Sequence, residues 1–374
     1  MITLNAIFQR SGAIYRDQCR GRLSDHQRRV MGAIEACRTK ALGGQVFTCL
    51  DCQTTRYSYH SCRNRHCPTC QQDAGADWLA DQQALLLPVP YFLITFTLPS
   101  ELRQVARTQQ ALVYAAMFRA SAAALQQLAA DPRFLGGQLG RLGVLQTWTR
   151  DLRYHPHIHY LVPAIGRTAT GQLVFPPAVD FLLPVRPLAM LFRAKLRAAL
   201  RQTLHYAAIP AAALEHDWVI DCRPVGTGAT ALKYLAPYIF RVALSNNRIL
   251  SADEAQVTFR YRHGDSGKHR TSTIPVDTFI DRFVAHILPK GFVKVRYYGL
   301  FRPGVRTDLR HIRAQLMLLR GQGLLDPVIP QPEPTARAEQ IATCPDCGAR
   351  MQGRRLAPIR ARAPPHTMNT SESA

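Results

Sequence analysis

The sequence predicts an α+β protein with a central antiparallel sheet flanked by helices, preceded by a small cysteine-rich domain. Two observations predict this. Runs of strand character and runs of helical character follow one another without the regular alternation that a doubly wound parallel sheet requires. Most of the ten cysteines also crowd into the first 72 residues, in a region that is otherwise basic and polar.

The elements can be justified in chain order. Gln71 to Leu87 has a helical pattern that Pro88 and Pro90 end. Tyr91 to Leu98 (YFLITFTL) is β-branched and aromatic, hence a strand. Ala111 to Ala130 is Ala- and Leu-rich and reads as a helix. Gly143–Trp148 and Ile158–Val162 read as two further strands, Pro187–Tyr206 as a helix with proline at its start, and Trp218–Cys222 as a short strand. Ala229–Ala243 is helical. Val257–His263 and Arg270–Ile274 make a hairpin around the glycines at 264 and 267. Thr278–Leu288 is a helix and Phe292–Tyr298 a strand. From Asp326 the chain turns rich in Pro, Arg and Ala, a composition that cannot build a core. The division expected is therefore 1–87, cysteine-rich; 88–325, the main α+β domain; and 326–374, a largely disordered tail carrying one CxxC.

Charge narrows the function. Lys and Arg number 47 against 25 Asp and Glu, a formal charge of +22, which points to a polyanionic partner and above all to nucleic acid. No apolar run is long enough to span a bilayer, and Met1–Arg20 lacks the apolar centre of a signal peptide. A cytoplasmic, reducing location is expected, where cysteines serve as metal ligands rather than disulfides.

Cys49-x2-Cys52 is followed after fourteen residues by Cys67-x2-Cys70, a spacing that can supply four thiolates to one structural Zn²⁺. Cys37, His60, Cys62 and His66 either form a second zinc site or pack around the first. Arg56, Arg63, Arg65, Tyr57 and Tyr59 lie among these ligands, suited to phosphate contact and base stacking. Cys344 and Cys347 are half of a zinc site, which either pairs with a distant half or is idle.

Residues 155–159 read HPHIH. In a strand His157 and His159 face the same way, with Ile158 turned into the core. Two imidazoles side by side can hold a divalent ion that polarises a phosphate. The third ligand is either Gln146, on the preceding strand, or His155; Gln146 is preferred, and an oxygen ligand suits Mg²⁺ or Mn²⁺. In Ala229–Ala243, Tyr234 and Tyr238 lie one helical turn apart on one face. A phenolate can attack a phosphodiester and hold the strand covalently for rejoining. Arg241 and Arg248 follow closely and are candidate DNA contacts, as are Arg63 and Arg65.

Four segments together carry a resemblance: CLDCQTTRYSYHSCRNRHCPTC, LQTWTRDLRYHPHIHYLVP, KYLAPYIFRVALSNNRI and FVAHILPKGFVKVRYYGL. They look like the rolling-circle insertion-sequence transposases of the IS91 type, two-tyrosine HUH enzymes with an N-terminal zinc-binding domain. The match is collinear over roughly residues 10–350. The resemblance implies an HUH domain with the His strand at the centre of the sheet and the tyrosine helix alongside. It further implies Tyr234 and Tyr238 as nucleophiles, His157 and His159 as metal ligands, and a role in nicking and rejoining single-stranded or hairpin DNA ends of a mobile element and its target. The chain departs from the pattern at Pro237, between the tyrosines, and at Gln146, where a histidine is expected. A replication initiator or relaxase runs the same chemistry without this zinc module. A zinc-ribbon DNA-binding protein would bind DNA without cutting it. No P-loop is present, so no ATP is implied.

Overall fold

The computed structural model describes residues 2–70, 78–79, 81–83, 85–201, 203, 206–209, 211–240, 243–264, 266–321 and 343–358. Two capped helices open the chain. In α1 (Leu4–Gln18) the Thr3 hydroxyl accepts from the Ala6 amide; α2 (Asp25–Ala36) starts with a Ser24/Gln27 capping box. Each cap satisfies amides that the first helical turn leaves without partners. A hairpin of β1 (Gly44–Cys49) and β2 (Thr55–Tyr59) follows. The central part runs β3 (Pro90–Thr97), α3 (Arg103–Thr108), α4 (Gln110–Ala129), β4 (Arg141–Trp148), β5 (Tyr154–Pro163), α5 (Val185–Arg201), β6 (Ile220–Thr227) and α6 (Gly228–Phe240). Then come β7 (Ile249–Ala252), β8 (Gln256–Arg262), β9 (His269–Pro275), α7 (Val276–Ala285), β10 (Val295–Tyr298), α8 (Arg306–Gly321) and β11 (Met351–Leu356).

The main sheet has strand order β10–β4–β5–β3–β6, and every neighbouring pair is antiparallel. The α+β class with an antiparallel sheet is as expected. The His strand β5 lies in the middle, flanked by β4 and β3. Both faces are covered, which is why β5 is buried along nearly its whole length. Ile158, Tyr160 and Val162 pack with α4 and α5, whereas Leu161, Val144 and Leu93 pack with Ala231, Leu232 and Leu235 of α6 and with α8. His157 and His159 share the parity of Leu161, so they face the α6 side.

Gly143 in β4 allows the close approach on the opposite face. A Cβ there would lie 2.6 Å from Cε1 of Tyr160, whose hydroxyl is held 2.8 Å from the Ser121 Oγ. The ring cannot retreat, so Gly143→Ala is expected to destabilise the protein by about 1–3 kcal/mol. Urea denaturation measures this; an unchanged midpoint would mean the Tyr160 ring is free to move.

Two features bear on the expected domain division. Residues 1–87 do not make a self-contained unit. The apolar faces of α1 and α2 share one core with β8 and α7: Phe8 and Phe283 meet edge to face at 5.3 Å, and the Leu4 amide donates to Asn246 Oδ1 at 3.0 Å. Two short helices and a hairpin carry too little apolar surface to fold alone. The tail from 326 is also not wholly outside the fold, because β11 pairs with β1 in full register, from Gly44 opposite Leu356 to Cys49 opposite Met351. Its polar and arginine-rich sequence suits an edge strand that is exposed along most of its length. Among the described residues no helix is long and apolar enough to cross a membrane.

Candidate functional site

On the α6 face of the sheet, Gln146 sits directly opposite His157, and His159 lies between Val144 and Thr95. The rings of His157 and His159 are 4.7 Å apart. All three polar side chains are buried, with 6–8% exposure. Each histidine is oriented through Nδ1. His157 Nδ1 donates to the His155 carbonyl at 2.7 Å, and His159 Nδ1 lies 2.9 Å from Thr95 Oγ1. In His157 this leaves the Nε2 lone pair as the ligating atom, the arrangement usual for a metal-binding imidazole. Burial keeps both rings neutral: it lowers His157 to about 4 and pushes His159 well down. Gln146 Nε2 donates to the Trp148 carbonyl, while its buried Oε1 has no hydrogen-bond partner. An orphaned amide oxygen is costly unless something binds it. Two imidazole nitrogens and one oxygen on neighbouring strands fit a hard or borderline divalent cation. A register shift between Gln146 and Trp148 marks a bulge, a device that re-aims side chains beside active sites.

His155 is drawn elsewhere, since its Nδ1 accepts from Arg103 at 2.8 Å. Tyr234 and Tyr238 lie in α6, which runs without interruption through Pro237 and packs on the His face through its described side chains. The side chains of both tyrosines, and Arg241 altogether, fall outside the described residues.

Several site residues escaped the sequence reading. Thr95 and the His155 carbonyl orient the imidazoles. Lys294 donates to the Ile239 carbonyl at 3.2 Å, sits 4.8 Å above the Trp148 ring, and so ties α6 to the sheet. Desolvation holds its pKa below the ordinary lysine value. Its only sequence signal was a cation inside the Phe292–Tyr298 strand pattern.

His286 closes the β4–β5 turn onto α7. Its Nε2 donates to the Leu152 carbonyl at 3.2 Å, and its Nδ1 accepts from Thr147 at 3.2 Å. The bond accepted at Nδ1 needs the neutral ring, and burial lowers the pKa to about 4. A base with a depressed folded-state pKa stabilises fully above its unfolded value of about 6.5. That stability is lost as pH falls from there toward 4, amounting to about 3 kcal/mol. Urea melts at pH 7 and pH 4.5 should therefore differ, and His286→Gln should narrow the difference. An equal difference in the variant would exclude His286 as the cause.

The cysteines form two groups, with members other than those expected. Cys37, Cys62, Cys67 and Cys70 converge, as do Cys49, Cys52, Cys344 and Cys347, with all thiols in each group within 4.8 Å of one another. The set Cys49/Cys52/Cys67/Cys70 is therefore corrected. The reason is the hairpin. Cys62 follows shortly after β2, near the β1 start, whereas Cys49 ends β1 at the other end, about 17 Å away for five strand steps. At the near end Cys37 caps α2, and the Arg38 amide donates to the His60 carbonyl at 3.1 Å. Cys37 and Cys62 thus belong with Cys67 and Cys70, but His60 and His66 do not. His60 is exposed and outside the group. His66 Nε2 accepts from the Leu288 amide at 3.0 Å.

Two candidate DNA contacts also bind within the protein. Arg65 donates to the carbonyls of Phe292 and Pro289 at 2.6 and 2.8 Å, and Arg248 to those of Arg260, Ala243 and Arg150. Each guanidinium thus donates to backbone carbonyls of the protein itself. Arg63 remains exposed.

Two family models match the chain: one described as "Putative transposase", of the Y2 type, over residues 140–308, and the IS91 "Transposase zinc-binding domain" over residues 7–98. The protein named "Putative transposase y4qJ" of Sinorhizobium fredii is 42% identical over 315 residues, 78% of each chain. "Transposase for insertion sequence element IS801" of Pseudomonas savastanoi pv. phaseolicola is 27% identical over 296 residues, 75% of this chain and 71% of that one. No solved structure gives a significant match. The sheet with its central His strand lies largely within the first matched region and the Cys37 group within the second, and together with the 42% relative this establishes that the chain belongs to the IS91-type transposase family.

Proposed function

We propose that the chain cuts and rejoins single-stranded DNA at the ends of an insertion sequence through 5′-phosphotyrosine links. The observation that carries the reading is the buried Gln146 oxygen, without a partner, opposite His157 and beside His159 on the sheet face against which the tyrosine helix packs. His157, His159 and Gln146 would hold Mg²⁺ or Mn²⁺, which when bound polarises the scissile phosphate. The His155 carbonyl and Thr95 fix the two imidazoles, so the ligand geometry is set before DNA arrives. The phenolate oxygen of Tyr234, or of Tyr238, attacks phosphorus. A P–O(Tyr) bond forms, the P–O3′ bond breaks, and the released 3′ oxygen takes a proton. One phosphodiester replaces another, so the link stores what rejoining needs. A second 3′ hydroxyl then attacks the phosphotyrosine and frees the phenol. Two tyrosines one turn apart allow two such cuts before the first product is released. The Cys37/Cys62/Cys67/Cys70 group would hold a structural zinc that keeps the N-terminal elements folded against α7 and gives Arg63 a fixed position for phosphate contact. Protein with DNA as its partner would act in the bacterial cytoplasm, at the nucleoid.

The test is a single strand carrying the element's end, labelled on either side of the cleavage point and incubated with Mn²⁺ or Mg²⁺. Label 3′ of the cut should migrate with protein on a denaturing gel, and EDTA should abolish it. Tight binding without any covalent product would leave a zinc-dependent DNA-binding protein.

A further inference from the structure

We propose that Cys49, Cys52, Cys344 and Cys347 form a second, independent zinc–thiolate site that clamps the C-terminal strand β11 onto the N-terminal hairpin. The matched zinc-binding region ends at residue 98, so it does not contain two of these ligands. Cys49 and Cys347 approach to 3.5 Å between sulfurs, as do Cys52 and Cys344. A tetrahedral Zn–S distance of about 2.3 Å sets a sulfur–sulfur edge of roughly 3.8 Å, whereas a disulfide needs about 2.05 Å. The separation is that of ligands around one ion, not of a bond between two sulfurs.

The two halves are also built alike. After Cys52, Gln53 has φ 61°, and its amide donates to the Cys49 carbonyl at 3.1 Å. After Cys347, Gly348 has φ 78°, and its amide donates to the Cys344 carbonyl at 2.9 Å. Each CxxC is thus wrapped into the same turn, closed by a residue in the left-handed region. Gln53 adopts this without the freedom glycine has, a strain that a bound ion would hold in place. Thr54 Oγ1 donates to Asp346 Oδ2 at 2.7 Å across the join. Cys49, Cys344 and Met351 are buried together with Phe47 and Ala349 around them, too small an apolar cluster to hold an edge strand unaided.

The clamp also places charge. On one face of this sheet Tyr57 and Tyr59 stack at 5.9 Å, and Arg354 of β11 lies on the same rung as Val46 and Tyr57. Seating β11 therefore places Arg354 on the same sheet face as the exposed Tyr57 ring, with Val46 of β1 between them.

Metal content and thiol reactivity of the full chain test the site. Wild type should carry two zinc ions. Cys344→Ser/Cys347→Ser and Cys49→Ser/Cys52→Ser should each carry one, and combining them should lose no more. In the first variant Cys49 and Cys52 should become open to alkylation while Cys37, Cys62, Cys67 and Cys70 stay protected. Cys347→His, which keeps a ligand, should restore the second ion and the protection; it also serves if the serine variants do not fold. One zinc in wild type, or two in Cys344→Ser/Cys347→Ser, would overturn the proposal, as would free alkylation of Cys344 and Cys347 in native wild type.

Discussion

His157→Ala should reduce DNA nicking by about a thousandfold or more. Metal polarisation of a phosphate contributes several kcal/mol to the transition state, and each 1.36 kcal/mol is a factor of ten. His157 is buried, is held by the His155 carbonyl and faces Gln146, so its loss removes one ligand and unsupports another. Tyr234→Phe and Tyr238→Phe remove only a hydroxyl. The one that carries the first attack should lose the covalent adduct entirely, while the other should still form an adduct but fail to complete strand transfer. Gln146→Leu should raise the Mn²⁺ concentration required, and Gln146→His should lower it again by replacing an amide oxygen with an imidazole. If His157→Ala nicks at the wild-type rate, the metal reading of this strand is wrong. If the Tyr234→Phe/Tyr238→Phe double variant keeps the adduct, another nucleophile is at work.

Removing zinc should have the largest effect on stability. Structural zinc in small modules contributes about 10–16 kcal/mol of apparent binding energy at neutral pH, far more than any single packing contact. The Cys37 group sits where the end of α2 meets the loop carrying Cys62, Arg65 and His66. From that loop Arg65 holds the carbonyls of Pro289 and Phe292, and His66 holds the Leu288 amide. Chelation should therefore loosen more than the thiolate loop. The 287–292 turn, and with it the approach to Lys294 and β10, should lose protection. Cys62→Ser/Cys70→Ser should reproduce this at constant zinc, seen as new proteolytic cleavage at both places and faster amide exchange at 287–294. Protection of that turn that survives complete loss of zinc would show the two regions to be independent.

The centre of the fold was legible because its strands have unmistakable patterns. Tyr91–Leu98 became Pro90–Thr97, and the hairpin read at Val257–His263 and Arg270–Ile274 lies within one residue or so of β8 and β9. Pro156 sits inside β5 and its carbonyl accepts from the Leu98 amide, a role open to a residue that has no amide to donate. The His157–Gln146 pairing was accessible from spacing, since a tight turn between β4 and β5 brings them opposite. The cysteine grouping was not. Two CxxC motifs fourteen residues apart look like one site, but a hairpin between them separates its two ends, and the missing partners lie nearly three hundred residues later. The bonds of Arg65 were hidden for a related reason: charge shows in a sequence, whereas the Pro289 and Phe292 carbonyls that it binds belong to a distant loop.

That long-range join sets a waiting time during synthesis. Cys52 is made 292 residues ahead of Cys344, and ribosomes add about 5–20 residues per second, so the front knuckle emerges roughly 15–60 s before its partner. Throughout that interval the second CxxC available to it is Cys67/Cys70, the very set that linear spacing suggests. A nascent chain that captured zinc across both knuckles would have to exchange ligands before α2 could supply Cys37 and β11 could dock. Early closure of α1 and α2 through Cys37 and Cys62 avoids that trap, so the order in which thiolates are used guards the final architecture as much as their number does.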